Sequence, residues 1–366
     1  MNFENVEFKS NPIFKFKEYI SDKNEGFGTS SLFEVFIDKE GDTILASPYM
    51  DIKNPYSHQY HISLISLAHN KEKKKLIGHI DRLTVIHYFI NSDTKKEYLI
   101  SADRKYKVII WDINADYLII FNRIIKYDNY INDVILLFID NNEYIVTSAK
   151  TSNGYTKIIK FHYEKKENNE EINDNNNSIV NIKDSFGLNV YNLCYWHNKI
   201  KNFHYIIQSG ESKILISEYQ NKEKYAIIET GDYYKYNLSS VVYSKKDKDI
   251  LISSSSFGQI IIYDLINKIE IKRIKLEKAY VNNIVKWNDK YFLTIDSNKK
   301  SIIIFNTDDY KIISSIKVSQ IFSHERYERK VMHPLYGESL ISVGNDYKVK
   351  LYVNLQCNLK SLIYDK

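Results

Sequence analysis

KVIIWDI, Lys107 to Ile113, is a short run rich in β-branched residues that closes on a Trp-Asp pair, and six weaker copies of it are spread through the 366-residue chain. The copies are HISLISL from His61, KIIKFHY from Lys157, KILISEY from Lys213, QIIIYDL from Gln259, SIIIFNT from Ser301 and KVKLYVN from Lys348. Their fifth positions are Ile65, Trp111, Phe161, Ser217, Tyr263, Phe305 and Tyr352, so successive steps are 46, 50, 56, 46, 42 and 47 residues and five of the seven are aromatic. A period near 45 with one such strand per unit signals a β-propeller.

A second series stays in phase with the first. Two or three large apolar residues end in a small or polar one: TILAS to Ser47, YLIS to Ser101, YIVT to Thr147, YIIQ to Gln208, ILIS to Ser253, YFLT to Thr294 and LIS to Ser342. Alternating or apolar stretches precede the pairs, such as RLTVIHYF from Arg82, NDVILLFI from Asn132 and NVYNLCYW from Asn189, and β-rich runs such as YLIIFN from Tyr117 and IEIKRIK from Ile269 follow them. Val, Ile, Tyr and Phe favour strands, while Asn, Asp, Lys and Gly mark the turns between them. The reading is all-β, a seven-bladed β-propeller of four-stranded antiparallel blades. An α/β fold would need long stretches of 3.6 periodicity, which are not found, and a β-helix would need far shorter rungs. A pair of unrelated sandwiches would not hold seven strand pairs in register.

The expected organisation is an N-terminal segment, residues 1–20, supplying a ring-closing strand, and a propeller over residues 21–366. The polar segment Glu164 to Ser178 reads as a loop between the third and fourth strands of the third blade. For ring closure, PIFKFKEYI (Pro12 to Ile20) competes with CNLKSLIY (Cys357 to Tyr364) as the outer strand of the last blade, and the first is favoured. No run of 18 apolar residues occurs and MNFENVEFKS lacks the pattern of a signal peptide, so an intracellular, cytoplasmic or nuclear, protein is expected. Cys194 and Cys357 offer neither a disulfide framework nor metal-ligand spacing.

The balance of 51 basic against 46 acidic residues gives a net charge of +5, too small and too interleaved for a phosphate-tracking stripe. KEKKK (Lys71 to Lys75) and HERYERK (His324 to Lys330) read as solvated turns. The 31 tyrosines, in a chain also rich in Lys, Asn and Ile, carry no argument by number alone, because an AT-rich coding sequence produces that set.

The stretch from Gly78 to Ile113, GHIDRLTVIHYF…YLISADRKYKVIIWDI, resembles a WD40 repeat, with its Gly-His start, its small polar residue in the second strand and its closing Trp-Asp pair. The resemblance implies a buried hydrogen-bonded chain of His, Ser or Thr, Asp and Trp. Carried over by position, His79, Ser101 and Trp111 match, but Lys105 stands where the Asp belongs, so the chain is expected to be incomplete. In the last repeat Ser323-His324 replaces Gly-His, Ser342 and Asp346 match, and Tyr352 replaces the Trp; Tyr263-Asp264 is the other approach to the Trp-Asp pair.

No HExxH, GxSxG, P-loop or GxGxxG pattern occurs. His58 with His61, and His197 with His204, lack Cys or carboxylate companions at metal-ligand spacing. The expectation is a non-enzyme without cofactor or metal. The resemblance implies a scaffold that recruits other proteins into a multi-subunit complex through loops around a central channel. Tyr and Arg suit such a dock, since each joins a large contact area to directional donors. The candidates are Arg104, Tyr106, Tyr127, Tyr130, Tyr233, Tyr234, Tyr236, Tyr280, Arg326, Tyr327 and Arg329. The alternative is a membrane-surface effector of the phosphoinositide-binding propeller type, against which stands the lack of an FRRG signature; neither nucleic acid nor a small-molecule substrate is the favoured partner.

Overall fold

A computed structural model describes residues 16–20, 33–49, 60–66, 69, 71–91, 93–127, 129–149, 155–161, 179–183, 189–221, 223–231, 237–245, 247–276, 279, 281, 284–296, 298–299, 301–317, 327–333, 337–343 and 349–354. Among them there is no helix, and every strand belongs to one of seven four-stranded antiparallel sheets. In chain order the first sheet is Glu34–Ile37, Thr43–Pro48, His61–Ser66 and Lys71–Ile77. The second is Leu83–Ile90, Glu97–Asp103, Lys107–Asp112 and Leu118–Ile124, and the third is Ile131–Ile139, Asn142–Ala149, Tyr155–Phe161 and Ile179–Lys183. The fourth is Val190–Asn198, Phe203–Gly210, Lys213–Glu218 and Lys224–Glu229, and the fifth is Asn237–Lys245, Lys248–Ser255, Gln259–Asp264 and Ile269–Lys275. The sixth is Val285–Lys286, Tyr291–Asp296, Ser301–Asn306 and Ile312–Lys317; the seventh is Tyr327–His333, Gly337–Val343 and Val349–Asn354, with Phe16–Ile20 paired antiparallel to its third strand.

The chain divides into two compact units, residues 79–237 with the second to fourth sheets, and residues 1–78 with 238–366, which hold the rest. In the first of these, Val85, Tyr98, Ile100, Val108 and Ile110 of the second sheet pack against Ile131, Val134, Leu136 and Ile145 of the third. The opposite face of the third sheet, with Ile135, Leu137, Val146 and Ile158, packs on Val190, Leu193 and Ile206 of the fourth. In the other unit, Ile250, Ile252, Ile260 and Ile262 of the fifth sheet meet Ile284, Phe292, Ile303 and Phe305 of the sixth. Strands sandwiched on both faces must be apolar on both, which is why YLIS and VIIW are unbroken apolar runs instead of alternating ones. Each such Ile or Leu contributes about 1.5–3 kcal/mol on burial.

The turns repeat as the strands do. At the hairpins joining first to second strands, Asp38, Asn91, Asn198 and Asn288 each accept two backbone N–H groups through Oδ1. In the third sheet Asp140 and Asn141 instead take φ of 49° and 61°, the two left-handed positions of a type I′ turn. Between third and fourth strands the residue after the recurrent aromatic does local work: Asp112 Oδ1 accepts from Ala115 N, Asp264 Oδ1 from Ile266 N and Asn267 N, and the amide Asn306 Oδ1 from Asp308 N. The pairing of third with fourth strand slips by one residue at Ile65, Trp111, Ser217, Tyr263 and Phe305, five of the recurrent fifth positions. A bulge at that point strengthens the local twist of each sheet.

One expectation is corrected. KEKKK is no turn but most of the outermost strand of the first sheet, where exposure alternates along Lys71–Ile77 and Lys73 reaches Asp38 and Glu40 at 2.6 Å each. An outer strand has only one neighbour and one shielded face, so charge is compatible with it and keeps its free edge from pairing with other chains. HERYERK likewise runs into a strand, which begins at Tyr327. The polar segment 164–178 and Cys357 lie outside the described residues, and Cys194 is half-buried in the first strand of the fourth sheet.

Candidate functional site

In the second, fourth and fifth sheets the loop leaving the sheet returns over that sheet's own turn between second and third strands. Ile125 N donates to Tyr106 O at 2.8 Å, Thr230 N to Ser212 O at 2.8 Å and Leu276 N to Gly258 O at 2.8 Å. The accepting residue stands immediately before the third strand and is left-handed each time, with φ of 67°, 56° and 74°. At Gly258 the approach is so close that a Cβ would lie 2.5 Å from the Leu276 carbonyl oxygen and 2.9 Å from Ala279 Cβ, so only glycine fits. Loop and turn are thereby bound together on one edge of the sheet.

In the second sheet a buried polar chain runs beneath that edge. Trp111 Nε1 donates to Ser101 Oγ at 3.0 Å, Ser101 Oγ lies 2.7 Å from His79 Nε2, and His79 Nδ1 lies 3.1 Å from Asp103 Oδ2. The indole N–H can only donate, which frees the Ser101 proton for His79 Nε2 and leaves Nδ1–H to face the carboxylate. Asp103 also accepts from Ile80 N at 3.2 Å, Lys105 N at 2.9 Å and Lys107 N at 3.1 Å, and is fully buried. The chain expected to be incomplete is therefore complete. Asp103 fills the acidic place two residues before the position that Lys105 occupies, because from there it serves as both the histidine's acceptor and the anchor of the Arg104–Tyr106 turn.

Burial holds the His79 imidazole below its ordinary value of 6.5, against the opposing pull of Asp103. Burial pushes the Asp103 carboxyl up, but its hydrogen bonds from His79, Lys107 and Ile80 together outweigh this and hold it below 3.8. For both groups the folded state binds fewer protons than the unfolded one as pH falls, so stability is present above the unfolded value and is lost below it. Urea unfolding is expected to give constant stability from pH 8 to 7 and a loss below pH 6.5 that His79 alone can steepen by at most about 1.4 kcal/mol per pH unit. His79→Gln should flatten that limb between pH 6.5 and 5; an unchanged slope would remove His79 as its source.

The third sheet carries a shorter version. Tyr127, expected on the docking face, turns its hydroxyl inward onto Thr147, 2.8 Å from the backbone oxygen and 2.6 Å from Oγ1, and Lys157 lies over its ring. It takes the part that His79 takes over Ser101. In the fourth sheet, where Ser217 replaces the aromatic residue, Trp196 instead stacks on Tyr205, and Tyr225 meets both rings at steep angles. In the fifth, Ser253 Oγ donates to Ser239 O and Ser240 Oγ donates to Ser253, without a histidine.

A second buried carboxylate joins sheets. Asp133, 3% exposed at the start of the third sheet, accepts from His87 Nε2 of the second sheet at 2.7 Å and from Leu193 N of the fourth at 2.6 Å. Sequence reasoning passed over it. The available signal was an acid immediately before the apolar run VILLFI, where a lone carboxylate needs partners.

Of the docking candidates, Arg104 is exposed in the second-sheet turn and Tyr130 is 40% exposed in the loop entering the third. Tyr106 is half-buried against the second-to-third sheet core. Tyr327 and Arg329 lie in the first strand of the seventh sheet opposite Val343 and Ile341, not in a loop. In that sheet Ser342 pairs with Lys350, and Tyr352 with Leu340 and Glu18. Tyr233, Tyr234, Tyr236, Tyr280, Arg326, His324 and Asp346 lie outside the described residues. His197 and His204 stack at 4.3 Å, and among the described residues no group of His, Cys, Asp or Glu could hold a metal. No described helix is long and apolar enough to cross a membrane.

No family model matches the chain, and no curated protein does. Solved structures do. BBS1N, crystallised in complex with ARL6DN and soaked with lead, is 10% identical and superposes with a TM-score of 0.64 over 96% of this chain and 97% of that one. The β-propeller domain of Myceliophteria thermophila Cps50 (Swd1) is 12% identical with a TM-score of 0.63, over 92% of this chain and 99% of that one. The chain has a β-propeller fold. At such identity the likeness carries the architecture alone.

Proposed function

We propose that this propeller is a non-enzymatic scaffold of WD40 type, with its seven sheets as the blades, that recruits partner proteins through the edge where turns and returning loops meet. The observation that carries this is the use of the buried titratable groups. His79 and Asp103 are spent on fastening a loop to a turn, while Arg104 in that turn and Tyr130 in the loop entering the third sheet face solvent. A rigid backbone presenting Arg and Tyr loses little conformational entropy on binding. That one similar propeller was crystallised in complex with another protein supports the same reading.

Proximity labelling in the native cell should nominate a protein partner, which is then purified and titrated against the propeller. The double variant Arg104→Glu with Tyr130→Ala is expected to weaken that binding at least tenfold with an unchanged melting temperature. Equal affinity of wild type and variant would rule out this edge as the dock. Flotation of the propeller with phosphoinositide vesicles, unaffected by the partner, would favour the membrane-surface reading instead.

A further inference from the structure

The third and fourth sheets meet through two unlike halves. Towards one end the contact is dry and apolar, with Val146 and Ile158 of the third sheet against Ile206 of the fourth. Side chains two residues apart on a strand share a face, so Ser148, Thr156 and Gln208 continue those same faces towards the other end. There the contact becomes polar. Asp133, Ser148 and Thr156 form one row across the third sheet, since Ser148 is the direct register partner of both.

Both ends of that row are bonded to the fourth sheet. Asn192 Nδ2 donates to Asp133 Oδ2 at 3.3 Å, and Thr156 Oγ1 donates to Gln208 Oε1 at 2.7 Å. Three buried atoms of this contact have no protein partner: Ser148 Oγ, Asn192 Oδ1 and Gln208 Nε2. Ser148, Thr156 and Gln208 are each at most 2% exposed. Unpartnered groups at such depth are costly.

We infer that this row is a binding site for an ordered water molecule that bridges the two sheets and forms part of the folded protein. The three atoms comprise a hydroxyl, an amide oxygen and an amide nitrogen, and they need one ligand that both donates and accepts. Water does so and makes about three hydrogen bonds in such sites. A cation fits poorly, because Gln208 Nε2 would point its protons at it and the carboxylate that would attract it is already engaged: Asp133 Oδ1 by His87 and Val134 N, Oδ2 by Leu193 N and Asn192. An anion is repelled by that same carboxylate.

The sign of one substitution decides the matter. Removing a hydroxyl that bonds a bridging water costs stability, whereas removing one that has no partner is neutral or favourable. Ser148→Ala is therefore expected to lower the melting temperature by about 1–3 °C, and a crystal structure of the wild-type protein to show one solvent peak within hydrogen-bond reach of all three atoms. An unchanged or raised melting temperature together with no peak would overturn the inference. So would a melting temperature that falls on adding EDTA, which would make the ligand a metal ion.

Discussion

Asp103→Ala is expected to lower the unfolding free energy by about 3–5 kcal/mol, the range for removing one partner of a buried hydrogen-bonded charged group. The size follows from what the carboxylate leaves behind. His79 Nδ1 and the N–H groups of Ile80, Lys105 and Lys107 all point at it, and alanine would strand four donors where water reaches poorly. Asp103→Asn should cost nearly as much, because an amide keeps the shape but turns a donor towards one of those donors. Trp111→Phe removes only the end of the chain, a single indole N–H, and is expected to cost about 1–2 kcal/mol. Urea unfolding of the three variants checks the ranking; if Asp103→Ala costs less than Trp111→Phe, the carboxylate is not the centre of the chain.

Asp103 also shows how far the sequence could be read and where it stopped. Strand order was legible because sandwiched strands must be apolar on both faces, as the runs YLIS and VIIWD are. The polar chain was read at His79, Ser101 and Trp111 but broken at Lys105, because a fixed spacing from the Trp was trusted over local chemistry. An Asp just before a three-residue turn can accept that turn's N–H groups through its side chain, and this pointed to Asp103 without any spacing rule. Tyr127 was misplaced for a related reason. A loop tyrosine reads as solvent-facing until the hydroxyl beneath it is counted, and Thr147 lies twenty residues away in the chain. KEKKK was taken for a turn because strand patterns are sought through apolar residues, which an outermost strand does not need.

Asp133 escaped altogether, since its partners are 46 and 60 residues distant and none forms a motif with it. Its loss should nevertheless rival that of Asp103. Oδ1 accepts from His87 and Val134 N, and Oδ2 from Leu193 N and Asn192, so one residue holds the second, third and fourth sheets together. Asp133→Ala is expected to cost about 3–5 kcal/mol. A contrast lies in the other unit, where Ser239 Oγ, a neutral group, accepts from Ile284 N at 3.3 Å where the fifth sheet meets the sixth. Ser239→Ala should cost about 1 kcal/mol. Hydrogen exchange separates a local from a general effect: Asp133→Ala should speed exchange at Leu193 and Val134 far more than in the fifth and sixth sheets. Equal acceleration throughout would mean that the carboxylate supports the whole fold and does not act as a clasp between neighbouring sheets.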